Sequence, residues 1–194
     1  MDAGADEPPG QDHPLREQAE ADLARVIAEI VRITGLPTRW RGTVAVRDFD
    51  FAHSGQKHPT CLISLREDTL LSWERRWTTM IHEGLHSVSA VFSSRRLDTT
   101  HHRWEEGIAE QLQRLLRDEM LHALRVKLDE VEVRGLDARH RYNEHIRSLE
   151  VYRVAARSPP RDFYLELLRF PPTERSRLLV TALRTPAERH EEER

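Results

Sequence analysis

Two histidines near the middle of the chain are spaced so that they could bind one metal ion. They are His82 and His86, in the segment MIHEGLHSV. Residues four apart lie on one face of an α-helix, so both imidazoles would point the same way. Glu83 follows about 100° further around such a helix, where its carboxylate can reach a water at the metal without binding the metal. The pattern H-E-x-x-H on a helix is typical of hydrolytic zinc sites.

A zinc site of this kind needs a third protein ligand, because catalytic zinc takes three protein groups and keeps one position for water. Cys61 is the only cysteine, so four-cysteine zinc sites and disulfide frameworks are excluded, and the ligands must be histidines and carboxylates. Downstream, Glu106 and Glu110 are again four residues apart, in the segment WEEGIAEQL. The sequence therefore predicts a second helix that presents carboxylates to the two histidines.

With both segments in view, the sequence resembles the gluzincin metallopeptidases over roughly residues 60–112. In that family, H-E-x-x-H on one helix is followed by a glutamate ligand on the next, often within E-G-x-A, and residues 106–109 here read EGIA. The resemblance implies an α+β, zincin-like fold and a bound Zn²⁺. It implies these roles: zinc ligands His82, His86 and Glu106, general base Glu83, and a hydrogen bond from a ligand histidine to Glu110.

The same resemblance suggests how a substrate would be held. The predicted strand 60–65, with Leu62, Ile63 and Ser64 at its centre, resembles the edge strand on which such enzymes align an extended peptide. Related enzymes also use a tyrosine or histidine to stabilise the developing oxyanion. Tyr142, His145 and Tyr152 share one face of a predicted helix and are the candidates for that role. Packing of these side chains in the core is the alternative interpretation.

The spacing departs from the family in one respect. Nineteen residues separate His86 from Glu106, and the aminopeptidase branch has one fewer. Glu105 would restore the shorter spacing, but the glycine and alanine that follow favour Glu106 as the ligand. The sequence also lacks the exopeptidase motif of the aminopeptidases and the third histidine of the three-histidine zincins.

Hydrophobic periodicity predicts a mostly helical domain with a small N-terminal sheet. A first helix begins near Leu15 and ends at Gly35, and two strands follow at 43–46 and 60–65. The remaining predicted helices cover 71–92, about 101–130 with a break at Gly135, 137–156, 161–169 and 173–184. We expect a disordered tail at 1–14, one domain at 15–184 and a charged tail at 185–194.

Charge and hydropathy restrict the partners. Thirty basic and 33 acidic residues give a net charge of −3, which argues against a general nucleic-acid binder. No segment approaches the roughly 18–20 apolar residues of a membrane span. The first residues lack the basic start and apolar stretch of a secretory signal, so we expect a cytoplasmic protein. The sequence does not indicate an oligomeric state.

The residues together predict a zinc metallopeptidase that hydrolyses a peptide or protein substrate. In this hypothesis Zn²⁺ activates a water and Glu83 is the general base. Two alternatives stay open on the sequence alone. The first is a zincin-like module that binds a peptide or protein without cleaving it. The second is a zinc hydrolase that acts on a non-peptide amide or ester.

Overall fold

The structure is a computed structural model that describes residues 13–47, 55–57, 62–91 and 99–183. Within these ranges the chain forms eight helices and three short strands. In chain order they are α1 (Arg16–Thr34), β1 (Val44–Arg47), β2 (Gly55–Lys57), β3 (Ile63–Arg66), α2 (Glu67–Leu71), α3 (Trp73–Val88), α4 (Thr99–Leu124), α5 (Glu130–Ala138), α6 (Asn143–Ala156), α7 (Pro160–Arg169) and α8 (Pro172–Leu183). This order confirms the coarse α+β expectation. The predicted tails at 1–14 and 185–194 lie almost wholly outside the described residues.

The three strands form one sheet in the order β1-β3-β2. β1 pairs with β3 in parallel, and β2 pairs with it antiparallel. The described sheet therefore has β3 at its centre, and the prediction that Leu62, Ile63 and Ser64 form an edge strand is wrong for it. Leu62 precedes the strand, and Ile63 and Ser64 are fully buried within it. β2 lies between the two predicted strands, in a stretch where the sequence predicts no strand.

The first helix forms as predicted and covers one side of α3. Its apolar residues recur at helical spacing and are almost fully buried, which places them in the core. The helix ends at Gly35, whose φ of 67° lies in the left-handed region that glycine adopts without strain. The buried apolar positions are Ala19, Leu23, Val26, Ile27 and Ile30.

Gly84, inside the H-E-x-x-H segment, faces α1 at the point where the two helices are closest. A Cβ atom at this position would lie 2.7 Å from Cδ1 of Ile30 and 3.3 Å from Cγ1 of Val26. Carbon atoms at van der Waals contact are about 3.5–4.0 Å apart, so a side chain here would force the neighbours to move. Glycine lowers the helix propensity of α3 by about 1 kcal/mol, but it permits this close packing.

The helix that carries the motif is shorter than the sequence predicted. The segment 71–92 was expected to be one helix, but Ser72 has extended backbone angles and separates α2 from α3. α3 then ends at Val88. Its central apolar residues, Trp77, Met80, Ile81 and Leu85, are almost fully buried, so the motif helix is anchored in the core.

The boundaries after α4 also differ from the prediction. α4 ends at Leu124, and a new helix, α5, begins after Asp129. The Asp129 carboxylate accepts hydrogen bonds from the backbone amides of the second and third helical residues, which stabilises this start. Gly135 was expected to break a helix but lies inside α5, and α6 begins at Asn143 instead of at residue 137.

α4 lies at the centre of the helical packing, where it contacts α1, α3, α6 and α7. Its buried apolar face fixes it against α3, so the two helices that carry the predicted metal ligands are held side by side. In the described ranges, every helix is too short or too polar to cross a membrane. The buried apolar residues of α4 are Ile108, Ala109, Leu112, Leu116 and Met120.

Candidate metal centre

The packing of α3 against α4 brings two imidazoles and one carboxylate to a common point. Nε2 of His82 lies 3.2 Å from Nε2 of His86 and 3.2 Å from Oε2 of Glu106. Nε2 of His86 lies 3.4 Å from Oε1 of the same carboxylate. All three residues are buried. The spacing of four residues on α3 therefore has the effect that the sequence predicted, since both rings face the same carboxylate.

These distances match those between ligands of one metal ion. Ligand atoms about 2.0–2.1 Å from a tetrahedral zinc ion are about 3.3 Å from each other, since a tetrahedron's edge is about 1.6 times its centre-to-corner distance. The two Nε2 atoms are 3.2 Å apart, and they lie 3.2 and 3.4 Å from Oε2 and Oε1 of Glu106, respectively. The group His82, His86 and Glu106 could hold a metal ion.

A second pair of carboxylates determines which imidazole nitrogens face the common point. Nδ1 of His82 lies 3.2 Å from Oε2 of Glu110, and Nδ1 of His86 lies 3.1 Å from Oε1 of Glu105. A carboxylate accepts a hydrogen bond, so each Nδ1 carries the proton in a neutral ring and each Nε2 presents a lone pair. When both rings are neutral, two nitrogen lone pairs and a carboxylate face each other, and this arrangement suits a cation between them.

The pKa values of His82 and Glu106 also favour a positive charge next to the Glu106 carboxylate. Burial disfavours the charged form of His82, but hydrogen bonds to Glu106 and Glu110 outweigh it and hold the pKa of His82 well above its ordinary value. Burial likewise disfavours ionised Glu106. The charge of His86 and the hydrogen bond with His82 outweigh this effect and keep the pKa of Glu106 well below its ordinary value. The centre therefore favours one anionic carboxylate and a positive charge beside it.

Glu110 connects His82 to further charged groups. Its carboxylate accepts a hydrogen bond of 2.9 Å from Nε of Arg114 and lies 3.4 Å from Nε2 of His140. Burial raises the pKa of Glu110, but the hydrogen bond and charge of His82, with the charges of His140 and Arg114, lower it to about 2. Glu110 thus stays ionised at neutral pH and can orient the His82 ring, the role that the resemblance implied for it.

Glu105, the alternative ligand by spacing, lies on the far side of His86 from the common point. One of its oxygens faces Nδ1 of His86, and the other accepts a hydrogen bond from Arg175 of α8. Both partners of this ion pair are almost completely buried. The geometry gives Glu105 contact with the ring of His86 and gives Glu106 contact with both Nε2 atoms.

A cleft of about 530 Å³ opens beside the candidate ligands and is lined by His82 and Glu106. Glu83 is buried and lines this cleft beside His82, on the side of α3 that its position in the helix predicted. It is outside the group of three ligand atoms that face each other. A carboxylate placed next to a metal site but outside its ligand group can exchange a proton with a molecule bound there.

Of the three candidates for an oxyanion-stabilising residue, Tyr142 alone is among the described residues that line the cleft. Burial and the nearby charge of Glu106 raise the pKa of its phenol above the ordinary value, so the hydroxyl stays protonated and can donate. His145 packs instead beside Gly107, where its Cβ would lie 3.3 Å from an added Cβ. Tyr152 is half-buried against the core. Packing is the observed role of these last two side chains.

The sequence did not single out two residues that belong to the centre. His140, from the connection between α5 and α6, lines the cleft, and its ring centroid lies 6.1 Å from that of His82. Burial lowers the pKa of His140, which favours the neutral ring. Arg175 is 70 positions from its partner Glu105. In the sequence, Arg175 is marked only by its position four residues before Leu179, so that both lie on the same buried face of α8.

Comparisons with protein-family models, with curated proteins and with solved structures find no match for this chain. No relative therefore assigns a role to any residue of the centre. Any function must be argued from the ligand geometry, the carboxylates behind the two imidazoles and the residues that line the cleft.

Proposed function

We propose that this protein is a zinc-dependent metallopeptidase with a zincin-like fold, related to the gluzincins. One observation carries the proposal: the Nε2 atoms of two imidazoles lie 3.2 Å apart, and each lies 3.2–3.4 Å from one oxygen of the Glu106 carboxylate, beside a cleft that Glu83 also lines. A purely structural cluster has no need of an additional buried carboxylate beside the ligand group, whereas hydrolysis requires a base there.

The donor set favours zinc over harder cations. Mg²⁺ and Ca²⁺ prefer shells of six or more oxygen atoms, while two imidazoles and one carboxylate are the ligands of many catalytic zinc ions. His82, His86 and Glu106 would hold the ion as three protein ligands, the number that in catalytic zinc sites leaves one position for water. Glu105 and Glu110 hold the two rings from behind, which increases the basicity of the facing nitrogens.

In the proposed reaction each residue has a defined task. When bound, zinc would polarise the scissile carbonyl and make a water acidic enough to lose a proton near neutral pH. The Glu83 carboxylate accepts that proton and later passes it to the leaving amine. The protonated hydroxyl of Tyr142 lines the same cleft and can donate a hydrogen bond to the carbonyl oxygen as negative charge develops.

The decisive experiment compares the wild type with Glu83→Gln on an unbiased peptide library, read by mass spectrometry. This change keeps the size of the side chain and removes the proton acceptor, so turnover should fall about 10²- to 10⁴-fold. Zinc content should stay the same, because Glu83 is outside the ligand group. Glu166→Gln is the matched control, since Glu166 is exposed on α7 and outside the cleft lining, and it should retain full activity.

Chelation completes the test. Removal of zinc should abolish cleavage, and its return should restore it. If the zinc-loaded wild type binds peptides but cleaves none of them, the protein is a recognition module on this scaffold and the proposed reaction is wrong. If esters or non-peptide amides are hydrolysed while peptides are not, the zinc site is catalytic but the substrate class is wrong.

A further inference from the structure

We propose that the cleft selects peptides with an acidic side chain about three residues from the bond to be cleaved. The inference rests on the proposed function for the position of that bond. Its basis is the set of basic side chains around the cleft mouth. The described lining residues include four arginines, Arg66, Arg75, Arg139 and Arg141, in a chain whose overall net charge is −3.

The two aspartates of the cleft lining do not neutralise all of this charge. The Asp68 carboxylate accepts hydrogen bonds of 2.7 and 2.6 Å from Arg66. Asp137 accepts bonds of 2.9 and 2.7 Å from Arg117, which lies behind the cleft. Each aspartate is therefore already held by both oxygens of its carboxylate in a bidentate pair.

Arg66 is held by Asp68, and Arg141 donates a hydrogen bond of 2.5 Å to the Tyr142 hydroxyl. The other two, Arg75 and Arg139, are exposed, and within the described part of the chain neither forms a direct ion pair; the charge of Arg75 acts on Asp68 and Glu132 only over a longer distance. The Arg139 side chain donates to the carbonyl of Gly135 at 3.0 Å, which orients the guanidinium without cancelling its charge. Cationic groups at the mouth of a cleft attract anionic ligands and disfavour cationic ones.

The position of Arg75 sets the distance from the reacting bond. Arg75 and His82 both line the cleft from α3, and they are seven positions apart, which is about 10 Å along the helix. An extended peptide advances about 3.3 Å per residue, so a side chain about three positions from the scissile bond would reach Arg75. The carboxylates at the cleft floor are committed to the metal centre, so the attraction for acidic side chains is confined to the mouth.

The experiment measures binding, so that it does not depend on cleavage. Zinc-loaded, full-length Glu83→Gln is titrated into fluorescein-labelled, C-terminally amidated dodecapeptide pools. One pool carries Asp or Glu three positions on either side of a varied centre, and the other carries Asn or Gln there. The acidic pool should bind about 3- to 10-fold more tightly at low salt, as expected for two exposed ion pairs. The difference should shrink at about 0.5 M salt.

Charge reversal then identifies the residues. Arg75→Glu and Arg139→Glu, each made in the Glu83→Gln background, should abolish or invert the preference. Arg147→Glu should preserve it, because Arg147 is exposed on α6 and outside the cleft lining. Equal binding of both pools, or a preference that persists in the Arg75 and Arg139 variants, overturns the inference.

Two further arms separate related outcomes. An Asn/Gln pool with a free C-terminal carboxylate tests the other source of negative charge, and a preference for this pool alone overturns the side-chain assignment. The wild type is also incubated with the acidic pool and, separately, with the amidated Asn/Gln pool. Tight binding without cleavage supports acidic recognition and contradicts the peptidase, whereas cleavage of both pools at equal rates contradicts acidic recognition and supports the peptidase.

Discussion

Glu105 and Arg175 form an ion pair inside the core, directly behind one imidazole of the metal centre. Glu105 is 0% exposed and Arg175 is 2% exposed. The other oxygen of Glu105 faces Nδ1 of His86 at 3.1 Å, and Arg175 also donates to the Ser89 hydroxyl at 3.2 Å. The orientation of a candidate metal ligand on α3 therefore depends on a side chain of α8.

Removal of the arginine should strongly destabilise the zinc-free protein. Arg175→Met would leave the carboxylate of Glu105 buried without its cationic partner, and such changes typically cost about 3–5 kcal/mol of the free energy of unfolding. This loss of unfolding free energy is measured by denaturant titration of the chelated protein.

Arg161→Met is the matched control, because the pair of Arg161 with Glu119 is exposed and should contribute less than about 1 kcal/mol. The double variant Glu105→Gln/Arg175→Met should recover part of the loss, and equal stability of Arg175→Met and wild type would contradict this account.

The two adjacent glutamates should differ in their effect on zinc affinity. Glu106→Gln removes the carboxylate that faces both Nε2 atoms, so it should cause the larger loss. Glu105→Gln removes only the acceptor behind His86, and changes of that kind typically cost about 10- to 100-fold. Competition with a chromophoric chelator measures both affinities. If Glu105→Gln loses zinc and Glu106→Gln retains it, the assignment of the two residues is reversed.

Stability should depend on pH in opposite ways with and without zinc. In the metal-free protein the pKa of His82 is raised, so its contribution is complete below about pH 6.5 and is lost as the pH rises through the folded-state pKa. Zinc binding requires that the same proton leave, so zinc should stabilise more as the pH rises. The difference in Tm between zinc-loaded and chelated protein should therefore grow from pH 6 to pH 9. A constant difference would show that His82 does not exchange its proton for the metal.

Gly84 and Ile30 should be energetically coupled. Gly84→Ala places a Cβ 2.7 Å from Cδ1 of Ile30, and overpacking of a core typically costs about 1–3 kcal/mol. Ile30→Val removes that methyl group, so in its background the alanine should gain helix propensity, about 1 kcal/mol, without the clash. A double-mutant cycle of unfolding free energies should give a favourable coupling of at least about 0.5 kcal/mol. If the effects of the two substitutions on the unfolding free energy are additive, α1 accommodates the alanine side chain without a free-energy cost.

Much of the metal centre could be predicted because its geometry is local to two helices. Residues four apart on α3 place both histidines on one face, and helical spacing on α4 does the same for Glu106 and Glu110. These relations hold wherever the helices lie. The start of α5 also had a local signal, since Asp129 is followed three residues later by Glu132, as in a capping box. Gly135, which the sequence offers as a helix break, lies inside α5.

The remaining features depend on contacts between distant parts of the chain. The short strand β2 exists because it pairs with β3, and three residues of GQK have no strand signal of their own. The role of Glu105 as a partner of His86 becomes clear only when Arg175 is placed behind it, 70 positions later. His140 reaches Glu110 because α5 and α6 fold back over the cleft. Each of these three contacts is set by tertiary packing, which sequence periodicity does not encode.

The buried arginine of α8 also has a consequence for the order in which the protein matures on the ribosome. The motif helix and both glutamates leave the exit tunnel well before Arg175, so a nascent chain has its candidate metal ligands before His86 is held in place. We expect ribosome-stalled chains that end before α8 to lose zinc rapidly to a chelator, and chains that extend well past α8 to retain it. Translation of α8, more than that of the H-E-x-x-H segment, would then mark the moment at which the polypeptide becomes a metalloprotein.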